Sequence, residues 1–166
     1  MWDIVQSAWG IIYYIAPDGD PRYLLIKRHA LSGKVERVAP KGKIQERESE
    51  KDAAVREMWE EVGIHKDQLV VKQLLGTTSL RSSETKRGHL DKDVTYFLMK
   101  YTGNPETIRL IEGEGYIGMY KRATIQEVIN LMYYEDIREL VRKSYFIIKE
   151  EQKNQSVKKD FLEKLK

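Results

Sequence analysis

Gly42 is followed six positions later by Glu48, then by Arg56-Glu57, Glu60-Glu61 and Gly63-Ile64. Glu57, Glu60 and Glu61 stand at i, i+3 and i+4. On a helix, like charges at that spacing cost roughly 0.2–0.5 kcal/mol per pair, so the cluster predicts a cation between them. Mg²⁺ is the natural candidate, because it prefers carboxylate oxygens and bridges one or two carboxylates to substrate phosphates. The chemistry expected of such a cradle is metal-assisted cleavage of a pyrophosphate. Arg56 lies beside Glu60, placed either to brace a glutamate of the cluster or to reach back to Glu48. Gly42 opens the loop, where a residue without Cβ lets backbone come close to metal or phosphate. Two or three glutamates alone would read as a solvated acidic face. Seven fixed identities do not, since a chance match is about one in 10⁸ per starting position.

The elements that must position these residues are also legible. Ser49 is a good N-cap, with Asp52 three positions on in a variant of the capping box. Residues 50–62 contain neither Pro nor Gly, and Gly63 supplies the stop. At about 100° per residue Val55, Met58, Trp59 and Val62 share one face, expected to pack on a core, with the three glutamates opposite. Residues 4–15 read as a strand. Pro17-Asp18-Gly19-Asp20-Pro21 is a turn, and Tyr23–Lys27 is the returning strand of a hairpin. Leu69–Leu75 and Val94–Tyr101 predict two further strands, joined by a long polar loop expected to be mobile and to contact substrate. A short strand near Met119-Tyr120 precedes helices near Ile125–Met132 and from Glu135 to about Lys149. Residues 150–166 form a highly charged tail after a domain of 1–149. Val157, Phe161 and Leu165 at i, i+4 and i+8 predict a terminal helix there, its stripe packed on the core or, alternatively, forming a dimer contact.

Composition fits one enzyme-sized domain. The chain has 166 residues, of which 41% are apolar and 33% charged, and it contains no cysteine. That excludes disulfides and thiolate metal sites, and it is compatible with a reducing cytoplasm, the expected location. No apolar run approaches the ~18 residues of a membrane span, and the start carries no signal-peptide pattern. The net charge is +3 despite the acidic segment, so cations outnumber acids elsewhere. Arg28, Lys41 and Lys43 are among those that crowd the approach to Glu48. Basic walls over an acidic, metal-binding floor would attract a polyphosphate. Pro40-Lys41-Gly42 fixes Lys41 at the mouth of the loop.

Gly42, Glu48, Arg56, Glu57, Glu60, Glu61 and Gly63, with apolar Met58 and Ile64, resemble the signature of the Nudix hydrolases at every fixed position. The resemblance implies an α/β fold of the α+β kind, an α/β/α sandwich with a mixed sheet and a loop–helix–loop catalytic motif. It implies Mg²⁺ or Mn²⁺ held by Glu57, Glu60, Glu61 and the Gly42 carbonyl. Glu57, Arg56 and Glu61 are the catalytic candidates, with Glu57 activating water. Gln45 and Arg47 depart from the usual Glu and Gly of the loop without removing a ligand.

Outside the signature, Pro40-Lys41-Gly42, the segment Lys92–Leu98 and Leu131–Asp136 resemble the diadenosine tetraphosphate hydrolases. That resemblance covers most of residues 7–145 and is looser than the signature. It implies that Lys41 and Lys92 reach the phosphate chain, that Tyr134 helps to sandwich an adenine, and that Glu114 adds a metal ligand. Surface placement of Lys92, a core-capping Tyr134 and Glu112 in place of Glu114 are the alternatives. The expected reaction is asymmetric cleavage of diadenosine tetraphosphate to ATP and AMP. Removal of pyrophosphate from an RNA 5′ end, hydrolysis of an oxidised nucleoside triphosphate, and a non-catalytic RNA-binding or regulatory module are the alternatives. The expected partner is thus a nucleotide polyphosphate, with no membrane or DNA duplex, for a monomer or homodimer.

Overall fold

Apolar and β-branched residues open the chain and form β1 (Val5–Ile15). The turn that follows is stapled by Asp18, which accepts the Asp20 N–H at 3.0 Å and pairs with Arg22 at 2.5 Å. Strand β2 (Pro21–His29) then returns antiparallel, with Tyr13 opposite Tyr23. The structure is a computed structural model describing residues 4–29, 35–38, 41–85, 88–111, 116–132 and 134–166.

Five more strands complete the sheet: β3 (Val35–Val38), β4 (Lys41–Lys43), β5 (Leu69–Thr85), β6 (Gly88–Tyr101) and β7 (Tyr116–Ala123). Among the described residues the sheet has seven strands, with the path β3-β2-β1-β6-β5 and β4 and β7 attached to β1 and β2. The β1–β6 pairing is parallel, from Val5 opposite Lys92 to Tyr13 opposite Lys100, and the other pairings are antiparallel. One edge of β1 belongs to β6. The other is divided, with Ser7–Trp9 pairing β4 and Tyr13–Ile15 pairing β2. Past that division β2 leaves β1 and takes β3 as its neighbour, so the sheet parts.

Helix α1 (Glu50–Val62) covers one face. It approaches closely at Gly10, where a Cβ would come within 3.0 Å of the Met99 sulfur and 3.3 Å of Met58. On the other face lie α2 (Ile125–Leu131) and α3 (Glu135–Lys164). A full capping box, Thr124 with Glu127, starts α2. The buried Tyr23 hydroxyl meets Ser144 at 3.0 Å, and Ser144 donates to the Val141 carbonyl at 2.6 Å, which locks α3 onto β2. Burial pushes the Tyr23 phenol well above its ordinary range. The result is the expected α/β/α sandwich with a mixed sheet.

Three expectations require correction. The polar stretch between Leu75 and Val94 is not a loop. The strands run on to Thr85 and from Gly88, stitched by pairs such as Ser79–Asp93 at 2.8 Å. Cross-strand pairing supplies the hydrogen bonds without apolar alternation, and the Thr and Ser residues there favour extended backbone or tolerate it. The two residues between the strands, 86–87, lie outside the described set. Second, Val157, Phe161 and Leu165 do not pack on the core. The helix from Glu135 is unbroken for 30 residues, and all three side chains are exposed. Third, Trp59 is solvent-facing at 57% exposure, edge-on to His65, while Glu57 and Glu61 lie on the buried side of α1. The stripe that meets the sheet is Ala53, Ala54, Glu57, Met58, Glu61 and Val62. It is rotated from the face that hydrophobicity alone selects.

Candidate active site

The segment entering α1 is built from backbone hydrogen bonds and one arginine. Gln45 and Glu48 close a turn through Glu48 N–H to the Gln45 carbonyl at 3.1 Å, and a Glu48 carboxylate oxygen accepts the Gln45 N–H at 3.0 Å. Arg47 sits third in that turn with φ of 63°, where type II turns ordinarily carry glycine. Ser49 caps α1 by accepting the Asp52 N–H at 3.0 Å. The Asp52 carboxylate accepts from the Ser49 hydroxyl at 2.7 Å. Gly63 ends the helix at φ of 66° and donates to the Trp59 carbonyl at 3.0 Å.

Arg56 is the hub. Its Nε donates to Glu48 Oε1 at 2.7 Å and its Nη2 to Glu48 Oε2 at 3.0 Å, a bidentate clamp. Its Nη1 reaches Glu57 Oε1 at 2.6 Å and Glu60 Oε2 at 2.8 Å. Nη2 also donates to the Lys43 carbonyl at 2.9 Å, which ties α1 to β4. Both sequence readings of Arg56, bracing the cluster and reaching Glu48, are therefore realised together. The Arg56 hydrogen bonds hold the Glu48 carboxyl below its ordinary value of 4.5, and the Gln45 N–H adds to the effect against a burial penalty. In turn Glu48 first, then Glu57, drives the guanidinium further above its already high range.

Glu57 and Glu61 are 8% and 3% exposed, whereas Glu60 is open to solvent. Both buried acids project from the face of α1 that meets β1 and β4. Burying ionised carboxylates costs several kcal/mol each unless cations or donors compensate. Carboxylates gathered on one side of a helix, beside the backbone of Gly42, suit a hard divalent cation and would not suit a soft one. Among the described residues, no three His, Cys, Asp or Glu side chains already converge as a ligand set. Glu57 and Glu60 are instead drawn to Arg56.

The remaining candidates are spread around this centre. Gly42 and Lys41 lie in β4 opposite Ala8 and Trp9. The exposed Lys43 adjoins them, and its carbonyl is the Arg56 acceptor. Arg28 is in β2 opposite Glu36 and Tyr116. Lys92 stands over Trp9, 5.8 Å from the ring centroid, and Trp9 meets Tyr96 edge-on at 4.9 Å. By strand alternation that group is on the sheet face away from α1. Tyr134 precedes α3 and is 47% exposed, so it does not cap the core. Glu114 lies outside the described residues, as does its alternative Glu112. The chain leading to them is fixed to α1, since Ile111 N–H donates to the Glu61 carbonyl at 2.9 Å.

Sequence reasoning missed a second cleft beside the helix, lined by Val55, Trp59, His65, Lys66 and Asp52 together with the Arg56 clamp. Trp59 could have been recognised as its wall, because Ala53-Ala54 and Glu57-Met58 already fill the sheet side of a 3.6-residue period.

Comparison with known proteins places this geometry. The family described as NUDIX domain matches residues 5–143. A crystal structure of a C. elegans Ap4A hydrolase binary complex is similar at 28% identity and a TM-score of 0.69, covering 87% of this chain and 98% of that one. The E. coli dihydroneopterin triphosphate pyrophosphohydrolase shares the fold at 16% identity and a TM-score of 0.66, over 85% and 97%. The NUDIX domain of Shewanella oneidensis NrtR, complexed with ADP ribose, also shares it at 15% identity and 0.62, over 86% and 89%. A search of curated proteins finds no match.

Proposed function

The chain belongs to the Nudix family, and we propose that this hydrolase of pyrophosphate bonds cleaves a dinucleoside polyphosphate asymmetrically, diadenosine tetraphosphate giving ATP and AMP. The observation that carries the metal reading is the α1 cluster, two buried glutamates and a third held at its edge by one arginine. The substrate reading is supported by the likeness to the C. elegans Ap4A hydrolase over 98% of that chain.

Glu57, Glu60, Glu61, the Gly42 carbonyl and Glu114 would hold Mg²⁺ or Mn²⁺. Such an ion neutralises phosphate oxygens and acidifies a bound water. The chain's own groups do the rest. Arg56 fixes Glu57 and Glu60 so that neither must reorganise when charge builds up. Glu57 takes the proton as water oxygen bonds to phosphorus, and the bond from phosphorus to the bridging oxygen breaks. Lys41, Lys43 and Arg28 neutralise the polyphosphate chain, Lys92 meets its far part from the sheet face away from α1, and Tyr134 offers a face for stacking a base. Ile111, bonded to Glu61, brings the segment ahead of Glu114 to the end of the same helix.

The test is turnover of diadenosine tetraphosphate, 5′-triphosphorylated RNA and 8-oxo-dGTP in competition, with Mg²⁺ and after chelation. Equal amounts of ATP and AMP are expected, together with a loss of about 10²-fold in Glu60→Gln. Faster turnover of the RNA or the oxidised nucleotide refutes the substrate assignment. Turnover that survives chelation refutes the metal.

A further inference from the structure

Helix α3 does two jobs along its length. Its first half is part of the domain, and among the described residues the last side-chain ties to the body are Lys72–Glu151 at 2.5 Å, Lys149–Asp20 at 2.5 Å and Gln152 to the Gly19 carbonyl at 2.7 Å. From Lys153 onward every residue is exposed. The remaining turns, residues 153–164, extend about 18 Å from the domain. An exposed stretch of that length is marginal as an isolated helix, so this arm needs something to pack against.

The arm is amphipathic, and its apolar face lines up with Phe146 on the domain-bound half, with Glu150 and Asn154 between them. At 100° per residue Phe146, Glu150, Asn154, Val157, Phe161 and Leu165 lie within one face about 100° wide. Phe146, Val157, Phe161 and Leu165 are 70%, 61%, 63% and 68% exposed. Along this face, from Phe146 to Lys158, runs an open groove of about 700 Å³ between α3 and β5, floored by Phe146 and Ile147 and walled by Glu150, Asn154, Lys72 and Gln73. The same helix therefore carries an apolar ridge on its arm and an apolar-floored groove on its base.

We propose that the arm is a self-association surface: two copies pair antiparallel about a two-fold axis near Asn154, each arm seated in the groove of the other. The charges select this occupant and this direction. An antiparallel pairing centred there sets the exposed Glu150 of one copy against the exposed Lys158 of its mate, a pair that occurs twice by symmetry. A parallel pairing would set Glu150 against Glu150 and Lys158 against Lys158. The same alignment brings Phe161 over Phe146 and Ile147, filling the groove floor. Residues 150–166 carry four acids and five lysines, a balanced mixture that suits a protein surface of mixed sign better than an anionic lipid face. Asn154 on the axis gives its amide a like partner, the kind of polar position that fixes register.

Sedimentation equilibrium of the full chain over a concentration series tests the pairing, with thermal melting to monitor the fold. Wild type is expected at twice the chain mass. Phe161→Glu is expected at the chain mass with an unchanged melting profile of the domain, because Phe161 is already exposed. Lys158→Glu should weaken association at least tenfold, and Glu150→Lys added to it should restore most of the loss. A wild-type chain that stays monomeric throughout overturns the proposal, as does a dimer that Phe161→Glu leaves intact. Flotation of a monomeric wild-type chain with anionic phospholipid vesicles, abolished by Phe161→Glu, would also overturn it and assign the arm to a membrane surface.

Discussion

Breaking the clamp between Arg56 and Glu48 should reveal a coupling that is large at neutral pH and vanishes in acid. The perturbation is a double-mutant cycle of Arg56→Gln and Glu48→Gln; the second is near-isosteric and the first removes the guanidinium while keeping the aliphatic stem. Two hydrogen bonds of 2.7 and 3.0 Å join the pair, and the side chains are 21% and 14% exposed. The geometry is bidentate, but solvent still reaches it. The coupling therefore lies between the ~0–1 kcal/mol of exposed pairs and the ~3–5 kcal/mol of a broken buried pair, and about 1–2 kcal/mol is expected. The sign of the pH dependence follows from Glu48. Arg56 holds its folded carboxyl below 4.5, so between the two values the unfolded chain binds more protons. The stabilisation is complete above the unfolded value and is lost as pH falls through the folded one. Urea unfolding of the four proteins at neutral pH and at steps below 4.5 measures this directly. Additivity within about 0.3 kcal/mol at neutral pH, or a coupling that persists once Glu48 is protonated, would refute the reasoning.

Arg47→Gly should stabilise the chain by a few tenths to about 1 kcal/mol, because relief of a left-handed arginine (~1–2 kcal/mol) outweighs the extra entropy of an unfolded glycine (~0.5–1 kcal/mol); chemical denaturation showing a loss would contradict it. Tyr23→Phe should cost about 0.5–1.5 kcal/mol without loss of turnover, since Ser144 keeps its bond to Val141. A neutral result in thermal melts would remove that bond from the account of how α3 is held. Mg²⁺ should raise the melting temperature of the wild type in proportion to the logarithm of its concentration, and Glu61→Gln should abolish that rise. An equal rise in both proteins would take Glu61 out of the metal site.

Much of the site was legible because its residues are constrained locally. Ser49 and Gly63 delimit α1 through their own backbone geometry, and the Glu48–Arg56 contact is set by one turn of loop against two turns of helix. What was not legible depended on distant parts of the chain. The apolar Trp59 looked like core, yet Gly10 and β4 draw the Ala53-Glu57-Glu61 side of α1 inward and leave the indole outside. The Ser- and Thr-rich stretch after Leu75 looked like loop because its stabilisation comes from a partner strand. The apolar spacing in residues 157–165 announced a helix correctly but did not say against what it packs.

The division of one β1 edge between β4 and β2 makes that strand a ruler. From Ala8 to Tyr14 is six residues, or about 20 Å at the strand pitch. That span is the distance between the start of the segment that enters α1 and the close of the first hairpin. It cannot be adjusted one residue at a time. Inserting or deleting a single residue in β1 would exchange Gly10, which admits α1, with the bulky neighbours that face α3. Variation in length is thereby pushed out of β1. It falls on the elements hung from it, the short β4 and the connections on either side, where length can change without turning the sheet inside out.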